Sequence, residues 1–96
     1  MRGRRSVKLT RKVRIKNALG LHARPATVIV KLLQGTYSSI SFTYRKETIN
    51  PRSIMSILML AATKNSLITI VVEGDDAPQT MDKIVDAFEN RFGDDS

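Results

Sequence analysis

The feature that most constrains this chain is the way its apolar side chains change spacing along the sequence. Val7, Leu9, Val13 and Ile15 fall on alternate positions broken only by Arg11, a two-residue period that predicts a strand beginning near Leu9. Asn17-Ala18-Leu19-Gly20 ends it. From His22 the period lengthens, and Ala26, Ile29, Val30 and Leu33 share one face of a predicted helix. Pro25 suits its first turn, where amides have no partner inside the helix, and Gly35 suits a left-handed close. Ile40, Phe42 and Tyr44 then alternate with hydroxyl residues, as in a half-buried strand. A turn at Arg45-Lys46-Glu47 leads to a short strand over 48–50, and Ser53 opens a second, short helix after Asn50-Pro51. Residues 67–73, rich in β-branched side chains, predict a fourth strand. Gly74-Asp75-Asp76 supplies a break and a capping carboxylate, and Met81, Ile84, Val85, Phe88 and Phe92 mark a last amphipathic helix. The order βαββαβα predicts an α+β fold in two layers, with helices covering one face of a mostly antiparallel sheet.

A chain of 96 residues makes one domain and buries only about 60% of its unfolded surface, leaving little room for an enclosed cleft. A protein that works through its surface is expected rather than an enzyme. There is no cysteine, which excludes disulfide and thiolate chemistry, and one histidine argues against a zinc site. Asp75-Asp76 is read as capping rather than as a cation site, so no metal is expected. The longest apolar run, 57–62, is far short of the ~20 residues of a membrane helix. No apolar stretch follows the basic N-terminus as in a signal peptide, so a soluble cytoplasmic chain is expected. Residues 1–12 hold six basic side chains and no acid, whereas the rest hold ten bases and nine acids. The charge therefore belongs to the N-terminus, and residues 1–8 are read as a basic flexible extension ahead of a domain over 9–93.

The chemistry concentrates at Gly20-Leu21-His22-Ala23-Arg24-Pro25-Ala26. His22 falls at a loop-to-helix junction, where unpaired amides (those of Ala23 and Arg24 here) and the helix dipole form an anion site. Arg24 adds a planar donor fork suited to phosphate oxygens, and positive surroundings favour an imidazole with a free lone pair. On the residues alone, His22 is equally readable as a surface histidine at the start of a helix.

The run Gly-Leu-His-Ala-Arg-Pro-Ala-Thr at 20–27 resembles the active-site segment of the HPr family, the phosphocarriers of the phosphoenolpyruvate-dependent sugar phosphotransferase system. A second block, Asn50-Pro51-Arg52-Ser53-Ile54-Met55, resembles that family's regulatory serine segment, and the likeness runs over about 9–92. It implies an open-faced β-sandwich with a four-stranded antiparallel sheet and three helices on one side. By position, His22 would accept phosphate on Nδ1 from phosphorylated Enzyme I and pass it to an enzyme II A component. Arg24 would stabilise the transferring state, and no cofactor would be bound. Leu19 stands where relatives commonly have Asn or Ser, Ser56 replaces a usual glycine, and Arg52 a frequent lysine.

Ser53 is placed to cap the second helix through its hydroxyl. The resemblance makes the same residue a target of an HPr kinase/phosphorylase. Ile54, Ile57, Leu58 and Ala61 form a candidate buried stripe, yet 54–62 holds more apolar side chains than one short face can bury. The resemblance assigns Ile54, Met55 and Leu58 to a docking patch near His22; as residues, Met55 and Met59 also read as adaptable core fillers. Two other functions remain on the sequence alone: a regulatory protein using the same residues without sugar transport, and a nucleic-acid-binding domain using the basic tail. The near-neutral body argues against the second. A monomer is expected.

Overall fold

A computed structural model describes residues 6–96 of the chain. The elements run β1 (Val7–Arg14), α1 (Ala23–Leu33), β2 (Ser39–Tyr44), β3 (Glu47–Ile49), α2 (Ile54–Leu60), β4 (Leu67–Gly74) and α3 (Ala77–Glu89), followed by a 3₁₀ turn, Arg91–Gly93. This is the predicted order. The strands form one antiparallel sheet in the order β1-β4-β2-β3, so the fourth strand in sequence lies inside, between β1 and β2.

One face of the sheet makes the core. Ile68, Ile70 and Val72 of β4 are fully buried, opposite Val13 of β1 and Phe42 and Ile40 of β2. Ala26, Ile29 and Leu33 of α1, Ile57 and Leu60 of α2, and Met81, Ile84 and Phe88 of α3 cover them. The alternate side chains, including Lys8, Lys12, Arg14, Ser39 and Glu73, remain exposed. Arg11 sits on the core-facing phase of β1 but at the sheet edge, and is exposed.

The chain departs from the sequence expectation at four places. β1 starts at Val7 rather than near Leu9, because the ladder with β4 continues through Lys8–Glu73 and Val7–Gly74. Val7 and Lys8 therefore belong to the sheet and not to the basic extension, whose residues 1–5 lie outside the described residues. α2 ends at Leu60, with Ala61 in a left-handed conformation at φ +51°, so its inward positions are Ile57 and Leu60. Ile54 and Ala61 are exposed, and Leu58 is half-buried against the core. α3 ends at Glu89, short of Phe92, which is buried from the 3₁₀ turn at φ +55°. Finally, Asp76 makes no side-chain cap bond to α3. Its carboxylate accepts instead from the Tyr37 amide (2.7 Å), the Ser38 amide (3.0 Å) and the Ser38 hydroxyl.

Arg52 secures the same α1–β2 connection. Its guanidinium donates to the carbonyls of Leu33 (2.9 Å), Thr36 (3.2 Å) and Ser38 (2.8 Å), and to the Thr36 hydroxyl (3.1 Å). Leu33 is the last residue of α1, so a cation meets the negative end of the helix, at a carbonyl that also accepts from the Thr36 amide (3.1 Å) and hydroxyl (2.6 Å). The Ser38 hydroxyl, then the Tyr37 amide, hold the Asp76 carboxyl below the usual carboxylate range.

Arg52→Ala is expected to cost about 2–3 kcal/mol in urea unfolding, since it leaves half-buried carbonyls without a charged donor. Arg52→Lys, with one ammonium in place of a fork, should recover part of that. Asp76 has a lowered folded pKa, so its stabilisation is complete above the unfolded value of about 4 and is lost as pH falls through the folded value. Asp76→Asn should accordingly melt several degrees below the wild type at pH 7, with the gap closing in acid.

Candidate functional site

The segment after β1 is held against the β4 side of the molecule before α1 begins. The Ile15 amide donates to the Ser66 carbonyl (2.9 Å), and the Asn65 amide returns a bond to Ile15 (2.7 Å). Asn17 is fully buried, and its side-chain amide donates to the Gly20 carbonyl at 2.7 Å. Gly20 adopts φ +68°, and a Cβ there would lie 2.3 Å from the Ala62 carbonyl oxygen. Only glycine fits so close a backbone approach. The next amide, Leu21, uses that carbonyl as its acceptor at 3.0 Å, which fixes the entry to the helix.

His22 is the N-cap residue of α1, in extended conformation, and its carbonyl accepts from the Ala26 amide at 3.1 Å. Its ring makes no cap bond, so the His22 side chain does not take up the first-turn amides of Ala23 and Arg24. Pro25 is buried inside that turn, at a position that has no amide to satisfy. The His22 side chain is about one-third accessible, at 32%.

The ring faces a carboxylate that the sequence reading did not find. His22 Nε2 lies 3.0 Å from Asp94 Oδ2, and the same oxygen accepts from Asn17 Nδ2 at 3.1 Å. Arg24 flanks the pair, with Nε 3.7 Å from Asp94 Oδ1 and Nη2 3.5 Å from the Gly93 carbonyl. The surroundings of His22 are thus mixed in charge and not simply positive. The His22 hydrogen bond lowers the Asp94 carboxyl below the ordinary range; burial opposes this, and Asn17 and the charges of His22 and Arg24 reinforce it.

Asp94 arrives from the far end of the chain. After α3 the backbone passes through left-handed conformations at Arg91, Phe92 and Gly93, which turns it back across the start of α1. Phe92 anchors this return, edge-on to Phe88 at 4.8 Å, and Phe88 in turn meets Phe42 at 5.9 Å. Nothing in the local pattern of Asp94 distinguishes it from a solvated tail. Asn17 carried a faint signal, as a polar residue in the break before the glycine.

Ser53 caps α2 as expected, its hydroxyl accepting from the Ser56 amide at 3.2 Å. A main-chain donor serves here, so serine in place of glycine at 56 leaves the cap intact. Among the described residues Ser53 shares no hydrogen bond with the His22 group, though α2 packs against α1. Met55 and Met59 are largely exposed, at 67% and 78%, and Leu19 is exposed at 73%. A depression of about 480 Å³ is lined by Ser6, Tyr37, Gly74, Asp75 and Asp76 and includes none of the His22 group.

Comparison with known proteins places the chain in a family. Residues 9–90 match the family described as the PTS HPr component phosphorylation site. The phosphocarrier protein HPr of Chlamydia pneumoniae is 47% identical over 79 residues, covering 82% of this chain and 73% of that protein. HPr of Treponema pallidum is 36% identical over 80 residues, covering 83% and 91%. The crystal structure of HPr-C-His from Thermoanaerobacter tengcongensis superposes with a TM-score of 0.86 at 32% identity, covering 92% of this chain and 99% of that one. HPr from Bacillus anthracis gives 0.80 at 31% identity, covering 84% and 96%. With its four-stranded open sheet, three helices and a histidine at the head of the first helix, the chain belongs to the HPr family, the phosphocarriers of the phosphotransferase system.

Proposed function

We propose that His22 is the residue that carries the phosphoryl group. One observation bears most of this reading: the chain's single imidazole stands accessible at the N-cap of α1, with Arg24 two residues on. A ring nitrogen attacks phosphorus as the bond from phosphorus to the donor breaks, and the reverse exchange discharges the group to the acceptor. Neither direction consumes water or an oxidant. The phosphoryl oxygens would meet the amides of Ala23 and Arg24 and the positive end of the helix dipole. Arg24, 65% exposed and held among the described residues by contacts of 3.5 Å and 3.7 Å, can turn its donor fork onto them.

Family membership gives Enzyme I as donor and enzyme II A components as acceptors in general terms. For docking we assign Ile54, Met55 and Leu58, of which the first two are exposed and the third half-buried. An exposed, adaptable methionine on a short helix suits a surface that must accept more than one partner. Ser53, at the head of that helix, is the candidate for phosphorylation by an HPr kinase/phosphorylase. Added negative charge there is compatible with the helix dipole and incompatible with an apolar partner. The reading takes the protein as a cytoplasmic monomer without cofactor. Among the described residues no helix is long and apolar enough to cross a membrane.

Incubation with phosphoenolpyruvate and Enzyme I should place an acid-labile, base-stable phosphate on His22. His22→Ala should fold normally and take up none, as read by intact mass; labelling of that variant would refute the assignment. Ser53→Asp should slow Enzyme I-dependent phosphorylation by about tenfold or more at subsaturating protein, because an unpaired charge must be desolvated at the contact. Its circular dichroism should be unchanged, and equal rates for the two proteins would separate Ser53 from the docking surface.

A further inference from the structure

We infer that Asp94 is a positioning residue that holds His22 in the tautomer with its proton on Nε2, leaving Nδ1 as the ring nitrogen with a lone pair. The inference rests on His22 as phosphoryl acceptor and adds a residue that acts through it.

An ionised carboxylate can only accept hydrogen bonds, so at 3.0 Å from Asp94 Oδ2 the His22 Nε2 must be the donor. In the neutral ring, which carries a single proton, Nδ1 is then bare. The lowered pKa of Asp94 keeps its carboxyl ionised at neutral pH. What makes the contact a constraint is how firmly Asp94 itself is held. Its oxygen Oδ2 is shared with Nδ2 of Asn17, which is fully buried and also bound to the Gly20 carbonyl. Its own amide donates to the Arg91 carbonyl at 2.8 Å, and the turn that carries it is anchored by buried Phe92. The Ala18 amide takes the Ser96 carbonyl at 3.0 Å, tying down the chain beyond it. The acceptor is therefore fixed from three directions before any partner arrives.

The chemistry follows from the same bond. When Nδ1 attacks phosphorus, the Nδ1–P bond forms and the donor–P bond breaks, while the proton stays on Nε2. Positive charge that develops on the ring is met by the Asp94 carboxylate, as a buried aspartate stabilises an imidazolium in a hydrolase triad. Without Asp94 the ring would exchange between tautomers and orientations, and only part of the population would present a nucleophile.

The test is nitrogen NMR of protein labelled with ¹⁵N in the histidine ring, at a pH where His22 is neutral. The wild type should show a protonated Nε2 and a bare Nδ1. Asp94→Ala should move both resonances toward averaged values. It should also lower the turnover of phosphoenolpyruvate-dependent labelling about tenfold, with little change in the concentration dependence on Enzyme I. Asp94→Asn separates positioning from charge. Asn17 Nδ2 should keep the new carboxamide oxygen in the place of Oδ2, so this variant should retain the Nε2–H signature and recover much of the rate. A proton on Nδ1 in the wild type, or ring resonances unmoved in Asp94→Ala, would overturn the inference. The NMR measurement needs no donor protein, so failure of the wild type to label would overturn the His22 assignment alone and leave the tautomer decided.

Discussion

The structure depends on the one-sided burial of β4. Ile68, Ile70 and Val72 have no exposure, and the strand carries both β1 and β2 as antiparallel neighbours. A chain of this size can cover only one face of such a sheet, and its three helices do so. Helix ends are then forced to the rim of the core. His22 is placed there by two consecutive features, the close approach of Gly20 to Ala62 and the Leu21 bond to the same carbonyl. The imidazole is thus fixed by the core while remaining at the surface, the place that the proposed carrier role requires.

Polar contacts between distant segments finish what the core begins. Arg52 and Asp76 reach from two different loops to the connection between α1 and β2, one satisfying carbonyls and the other amides. The C-terminal return does the equivalent work at the opposite end of α1. Burial of Phe92 carries Gly93 and Asp94 over the first turn of the helix, so the last residues of the chain complete a candidate site whose histidine lies near its beginning.

Much of this was legible in the sequence, and the divisions follow physical lines. Period-two spacing located β1 and β2 and helical spacing located α1 and α3 because each buries one side, turn, cap and β-branched residues located β3, α2 and β4, and Gly20, His22 and Arg24 stood together in one short segment. The boundary of α3 failed at Phe92, since an apolar residue in helical phase gives no sign that the backbone has turned left-handed before it. Arg52, Asp76, Asn17 and Asp94 were misread or passed over for a shared reason. Each bonds to a segment remote in sequence, so each looks like an ordinary surface, capping or loop residue until the chain is folded. Ser53 shows the converse: its cap bond joins residues three apart, and spacing alone predicted it.

The central claim is that one nitrogen of one histidine carries the group, made available by a contact on the other. It is tested most directly by phosphorylating ¹⁵N-histidine protein with phosphoenolpyruvate and Enzyme I and recording the coupling between phosphorus and the ring nitrogens. The account predicts a single phosphorus signal coupled directly to Nδ1 of His22, with Nε2 still bearing its proton. Direct coupling to Nε2, or phosphate on a residue other than His22, would contradict it.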